Sequence, residues 1–171
     1  MVSDTVCFRW RSNYLHKMSS TKITLLYVDD EVNNLISFKA AFRVKYEILT
    51  AISGEEAIKL LKENTVNIIV TDQRMPNMTG VEFLESILTE YPDPMRILLT
   101  GYADMNAVVD AINKGKIFHY LTKPWNEEEV ESTIARAYEV YKQKMDEKEL
   151  NSKLLVSNDQ LEFMLRQKLL S

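Results

Sequence analysis

The chain has one cysteine, Cys7, and two histidines, His16 and His119. A single cysteine excludes an internal disulfide and a cysteine-based metal site. The histidines stand far apart with no cluster around either, so a zinc site is not expected. No apolar run approaches the length of a membrane span. The first residues lack the basic start, apolar centre and small-residue cleavage pattern of a signal peptide. There is no long basic run, and the net charge is -4, so no nucleic-acid surface is expected in this chain. These absences point to a soluble, cytoplasmic protein with no membrane contact.

What is present is a hydrophobic fraction of 46%, enough for a real core. A length of 171 residues suits one ordinary domain plus an appendage. The organising stretch is residues 67–76. Ile68, Ile69 and Val70 form a β-branched run of the kind found in strands buried on both faces. The run ends in Asp72 and a polar, proline-bearing turn. Before it, residues 23–28 read as a buried strand ending in Asp29, Asp30 and Glu31. Val32, Leu35, Phe38 and Phe42 then recur at helical spacing. Residues 46–51 form a short strand. Ser53 and Glu56 look like a capping box opening a helix that carries Ala57, Ile58, Leu60 and Leu61.

After the organising turn, residues 81–90 read as a helix with Val81, Leu84 and Leu88 on one face, closed by Pro92 and Pro94. Residues 95–99 are a fourth strand, followed by Thr100 and Gly101. Asp104 is placed to cap a helix that ends near Gly115. Residues 117–121 are a fifth strand, followed by Thr122, Lys123 and Pro124. Asn126 caps the fifth helix, and Glu127 to Glu129 sit at its positive end. A strand–helix pair repeated five times predicts an α/β fold. A doubly wound, five-stranded parallel sheet is the economical form, because a barrel of this type needs eight units.

Three regions are expected. Residues 1–21 read as a mobile N-terminal extension, with Met18 a candidate start. Residues 22–141 form the α/β domain. Residues 142–171 read either as a helical linker or as a short dimerising coiled coil, with Leu154, Leu161 and Leu165 at coiled-coil spacing and Asn158 in the seam.

In a parallel sheet all C-terminal strand ends share one edge, where open α/β sheets place their chemistry. That edge would gather Asp29, Asp30, Asp72, Thr100 and Lys123. Three carboxylates crowd one another unless a cation sits among them, and a hard divalent ion such as Mg²⁺ is the natural solution. Thr100 and Lys123 offer a hydroxyl and an ammonium to a phosphoryl oxygen. A carboxylate can attack phosphorus, so the edge reads as a site of phosphoryl transfer onto an Asp.

The set Asp29-Asp30-Glu31, Asp72 with Met75-Pro76 and Gly80, Thr100-Gly101, and Tyr120 with Lys123-Pro124 resembles the receiver domain of two-component response regulators, over residues 23–141. The resemblance implies a flavodoxin-like sheet of strand order 2-1-3-4-5 and a phosphorylation-dependent switch that turns over no separate substrate. It implies Asp72 as phosphoacceptor. Asp30, Asp72 and the backbone carbonyl of Arg74 would be direct ligands of Mg²⁺ (or Mn²⁺), with Asp29 acting through water. Thr100 and Lys123 would bind the phosphoryl group, and Tyr120 would be the aromatic that follows Thr100. A cis Lys123-Pro124 bond is implied too.

The expected partners are a sensor histidine kinase or phosphotransfer protein, and a second copy bound through the fourth helix, fifth strand, fifth helix and C-terminal helix. Within the family the pattern looks most like receivers linked to HD-GYP-type phosphodiesterases or hydrogenase-type transcription regulators. Thr79 departs from the Asp or Asn common before Gly80, with little effect expected on the chemistry. Arg74 and Tyr102 occupy positions that tune hydrolysis of the acyl phosphate, and their size predicts slow self-dephosphorylation.

Three competitors fit less well. A haloacid-dehalogenase-like phosphatase wants Asp-x-Asp after its first strand, where Asp29-Asp30-Glu31 stands. A flavodoxin-like cofactor binder wants small hydroxyl and glycine residues there. A pseudo-receiver would lack part of the site set that is complete here.

Overall fold

The computed structural model describes residues 22–101 and 105–169. The expected extension at 1–21 and the Asp104 cap lie outside the described residues. Along the chain run β1 (Thr24–Val28), α1 (Val32–Phe42), β2 (Glu47–Ala51), α2 (Gly54–Glu63) and β3 (Ile68–Asp72). There follow α3 (Gly80–Ile87), β4 (Met95–Thr100), α4 (Met105–Asn113), β5 (His119–Thr122) and α5 (Glu127–Leu169). The strands form one sheet in the order β2-β1-β3-β4-β5, with every pairing parallel. This is the expected α/β architecture. The β-branched run lies in β3 at the sheet's centre, where every residue is buried.

Side-chain alternation divides the core in two. Leu26, Val28, Ile69 and Leu98 face α2, α3 and α4, against Ala57, Phe83 and Val108. Leu25, Tyr27, Ile68, Val70 and Leu99 face α1 and α5, against Phe38, Phe42, Val130 and Ile134. On this second side Tyr27 stacks on Phe38, and Trp125 meets Phe38 edge-on and Phe42 at a tilt.

Helix ends follow local chemistry, with some departures from the sequence pattern. Ser53 caps α2 by accepting the Glu56 N–H at 3.2 Å. The Glu56 carboxylate, however, reaches back to the Ile52 N–H at 2.8 Å, one residue beyond the reciprocal bond expected of a capping box. Helix α3 stops at Ile87 rather than continuing to residue 90. Its end tightens as the Leu88 N–H takes the Glu85 carbonyl, three residues back. The α4 terminus closes as expected on Gly115, whose φ is 68°. There the Gly115 and Lys116 N–H groups satisfy the carbonyls of Ile112 and Ala111. Asn126 Oδ1 accepts the Glu128 N–H at 2.8 Å and opens α5.

Helix α5 is one element of 43 residues, about 65 Å long. Its proximal part buries Val130, Thr133, Ile134 and Ala137. Its distal part leaves Leu150, Leu154, Leu161 and Leu165 more than half exposed, at 52–61%. No helix among the described residues is long and apolar enough to cross a membrane.

Candidate functional site

Strand register assembles the site. Val28 pairs with Thr71, Asp72 with Leu99, and Thr100 with Thr122. Asp29, Asp72 and Lys123 therefore leave the sheet at one edge. They also fall on the side chain parity of Tyr27, Val70 and Leu121, the α1 and α5 side. Thr100 shares the parity of Leu98 and belongs to the opposite side. The sheet thus brings Asp29, Asp72 and Lys123 into contact and sets Thr100 beside them.

Lys123 is the bridge. Its Nζ lies 2.6 Å from Asp72 Oδ1 and 3.1 Å from Asp29 Oδ2. The Lys123-Pro124 peptide is cis, as the resemblance implies. Asp29 is fully buried and carries further donors. Its Oδ1 accepts the Glu31 N–H at 2.9 Å and the Asn34 amide at 3.0 Å. Its Oδ2 accepts the Tyr27 hydroxyl at 2.8 Å. Asp72 is held more lightly: Oδ2 takes the Arg74 N–H at 2.9 Å. Asp30, the next residue after Asp29, is exposed. The Thr100 hydroxyl is buried and donates to the Gly101 carbonyl at 3.0 Å. Tyr120 is half-buried against the core on the α4 side. Tyr102 lies outside the described residues.

The loop after β3 is fixed by its own backbone. The Gln73 N–H bonds the Leu99 carbonyl, and the Gly80 N–H bonds the Gln73 carbonyl. The Gln73 side chain accepts the Val81 N–H at 3.1 Å. Gly80 sits so close that a Cβ there would collide with the Asp72 carbonyl oxygen and crowd Leu98. Thr79 caps α3 in a full capping box with Glu82, a role that the Thr-x-x-Glu spacing of residues 79–82 carries and the sequence reading passed over.

Electrostatics separate the two buried carboxylates. Burial alone would raise the Asp29 pKa, but the Glu31 N–H, Tyr27, Asn34 and Lys123 outweigh it and hold it below the ordinary value. Burial raises that of Asp72, and the Asp29 charge adds to the rise against the pull of Lys123. Burial would lower the Lys123 pKa, but Asp72 and Asp29 together raise it. Among the described residues no three acidic, histidine or cysteine side chains are already gathered around a point where a metal would sit. The donors at the edge are nevertheless carboxylate oxygens, two of them from Asp72 and Asp30, which suit a hard divalent cation. Asp29, its oxygens committed to side-chain and backbone donors, suits a contact through water.

The family model for the response regulator receiver domain matches residues 25–135. The chain belongs to this family. Among relatives of the receiver, the hydrogenase transcriptional regulatory protein HoxA of Cupriavidus necator is 34% identical over 154 residues, covering 90% of this chain and 32% of that protein. This receiver chain spans about a third of that relative's length, and 24% of the HoxA of Bradyrhizobium diazoefficiens. Among solved structures, a response regulator receiver domain protein from Clostridium thermocellum is 30% identical with a TM-score of 0.67, covering 71% of this chain and 98% of that one. The signal receiver domain of an HD domain-containing protein from Pseudomonas fluorescens Pf-5 has the same identity, TM-score and coverage. The likeness to hydrogenase-type regulators expected from the strand-end motifs is therefore found.

Three residues of the receiver site escaped the sequence reading: Tyr27, Asn34 and Gln73. Tyr27 carried a usable signal, since residues two apart on a strand share a face, and Asp29 is two residues on.

Proposed function

We propose that this receiver domain is a phosphorylation-dependent signalling switch with Asp72 as its phosphoacceptor. A sensor histidine kinase or phosphotransfer protein in the cytoplasm presents a phosphohistidine. An Asp72 oxygen attacks phosphorus, the P–N bond breaks as the P–O bond forms, and the imidazole leaves with the electron pair. The observation that carries this reading is the Asp72–Lys123 contact of 2.6 Å at the end of a buried strand, with Asp72 Oδ2 receiving a backbone N–H. Lys123 is placed to neutralise charge that builds on the phosphoryl oxygens. Asp30, Asp72 and the Arg74 carbonyl would hold Mg²⁺ (or Mn²⁺), with Asp29 reached through water. When bound, that ion supplies charge neutralisation for the transfer.

A phosphoryl group adds about -1.5 to -2 charges and three acceptor oxygens. Thr100 and Lys123 then turn to it, Tyr120 follows Thr100, and the face of α4, β5 and α5 changes. The two states pre-exist, and the modification biases their balance. The exposed leucines of distal α5 support a homodimer through that face and the C-terminal helix, with the change carried along α5. The bulk of Arg74 and Tyr102 would slow loss of the phosphoryl group. A half-life in the wild type no longer than in Arg74→Ala/Tyr102→Ala would refute that part.

The test of the whole reading is incubation with Mg²⁺ and acetyl phosphate, followed by intact mass and oligomeric state. Wild type is expected to gain one phosphoryl group and shift toward dimer, and Asp72→Asn to do neither. No modification of the wild type, and no response to beryllofluoride, would instead favour a pseudo-receiver.

A further inference from the structure

Tyr27 and Asn34 take no part in the chemistry proposed above, yet both are aimed at it. Tyr27 is fully buried, with its ring stacked 4.1 Å from that of Phe38. A phenylalanine would fill the same space, so packing does not account for the hydroxyl. That hydroxyl donates to Asp29 Oδ2 at 2.8 Å, the same oxygen that receives Lys123 at 3.1 Å. Asn34, in the first turn of α1, spans both Asp29 oxygens at 3.0 and 3.1 Å. The Glu31 N–H takes Oδ1 as well.

An ionised carboxylate offers roughly four lone-pair sites. Three fixed donors already draw on those of Asp29, so its attraction for Lys123 is divided. Lys123 accordingly stands closer to Asp72, at 2.6 Å, than to Asp29. We infer that Tyr27 and Asn34 are positioning residues. By occupying the Asp29 oxygens they loosen its hold on Lys123 and leave the ammonium to Asp72 and to the phosphoryl group that forms there. This inference rests on Asp72 being the phosphoacceptor. Removing the hydroxyl takes the shortest of the donors from Oδ2, draws Lys123 toward Asp29, and weakens its contact with a phosphoryl group. Donors that only anchored Asp29 would leave Lys123 where it is.

The test compares wild type with Tyr27→Phe, which keeps the ring stack. Beryllofluoride with saturating Mg²⁺ serves as the phosphoryl mimic, titrated by calorimetry, and the ¹⁵N resonance of the Lys123 ammonium is recorded in the free protein. The expected result is about a fivefold to tenfold weaker affinity, the scale of one ordinary intramolecular hydrogen bond, together with a moved Lys123 resonance. Asn34→Ala, on the helix surface side of the site, is expected to act in the same direction and serves if Tyr27→Phe does not fold. Unchanged affinity overturns the inference, and so does weaker binding with an unmoved Lys123 resonance. Wild type that fails to bind beryllofluoride would instead remove the phosphoacceptor reading, and the inference with it.

Discussion

At the edge where the strands end, charges are buried and share partners. Asp29 is fully buried, Asp72 nearly so, and Lys123 serves both. At the edge where the strands begin, charges are paired across an open surface. There Asp93, ahead of β4, meets Lys148 and, at 3.8 Å, Lys144, where α5 passes the sheet. Lys116, ahead of β5, pairs with Glu85. The physical difference is solvent. Water and salt screen the pairs at the starting edge, so each is worth little. Little water separates the groups at the exit edge, so a new charge there is felt by all of them at once. A negative charge added at Asp72 would therefore act on all its neighbours, whereas the same charge near Asp93 would mostly be screened.

Removing the shared cation should have the largest effect. Lys123→Ala is expected to slow phosphoryl uptake from acetyl phosphate on the order of 10²-fold, as loss of one preorganised charge-stabilising group does. An unchanged rate would erase the contrast between the edges. Next comes the loop after β3. Gly80→Ala forces a methyl group against the Asp72 carbonyl and should cost about 1–3 kcal/mol in urea unfolding. A neutral result would mean that this loop is not the rigid support described.

The starting edge should be more forgiving. Asp93→Ala is expected to change stability by no more than about 1 kcal/mol, and less in high salt. A larger, salt-insensitive loss would show that the clamp on α5 is not a surface pair. The smallest effect should come from His119, the first residue of β5. Burial, with the nearby Arg136 charge, lowers its pKa below the ordinary 6.5. The unfolded chain then takes up the proton before the folded one does. The His119 contribution is thus intact above 6.5 and is lost as pH falls through the folded value. Melting temperature followed through this window should fall slightly in wild type and flatten in His119→Gln.

How legible each feature was follows from what kind of contact makes it. Apolar runs that stop at a charged or hydroxyl residue marked the exit edge, and the parallel sheet then brought Asp29, Asp72 and Lys123 together as expected. The strand–helix alternation pointed to a parallel sheet, and the order of its strands came from the family resemblance. Tyr27 was passed over because a tyrosine inside an apolar run looks like core filling, although its place two residues before Asp29 on one strand put both on the same face. Asn34 and Gln73 act through amides whose partners are set by loop geometry. The end of α3 at Ile87 was missed because the apolar period outlasts the helix. The distal half of α5 was legible as helix, since its period is regular. Its leucines stand exposed in the single chain.

The contrast between two buried carboxylates lies at the centre of this account. Among the described residues Asp29 receives the Glu31 N–H, the Tyr27 hydroxyl, the Asn34 amide and Lys123, whereas Asp72 receives the Arg74 N–H and Lys123. Borohydride reduction after phosphorylation with acetyl phosphate and Mg²⁺, followed by peptide mass spectrometry, finds which aspartate carried the acyl phosphate. The reduced residue is expected at position 72. Reduction at position 29 or 30 would contradict it.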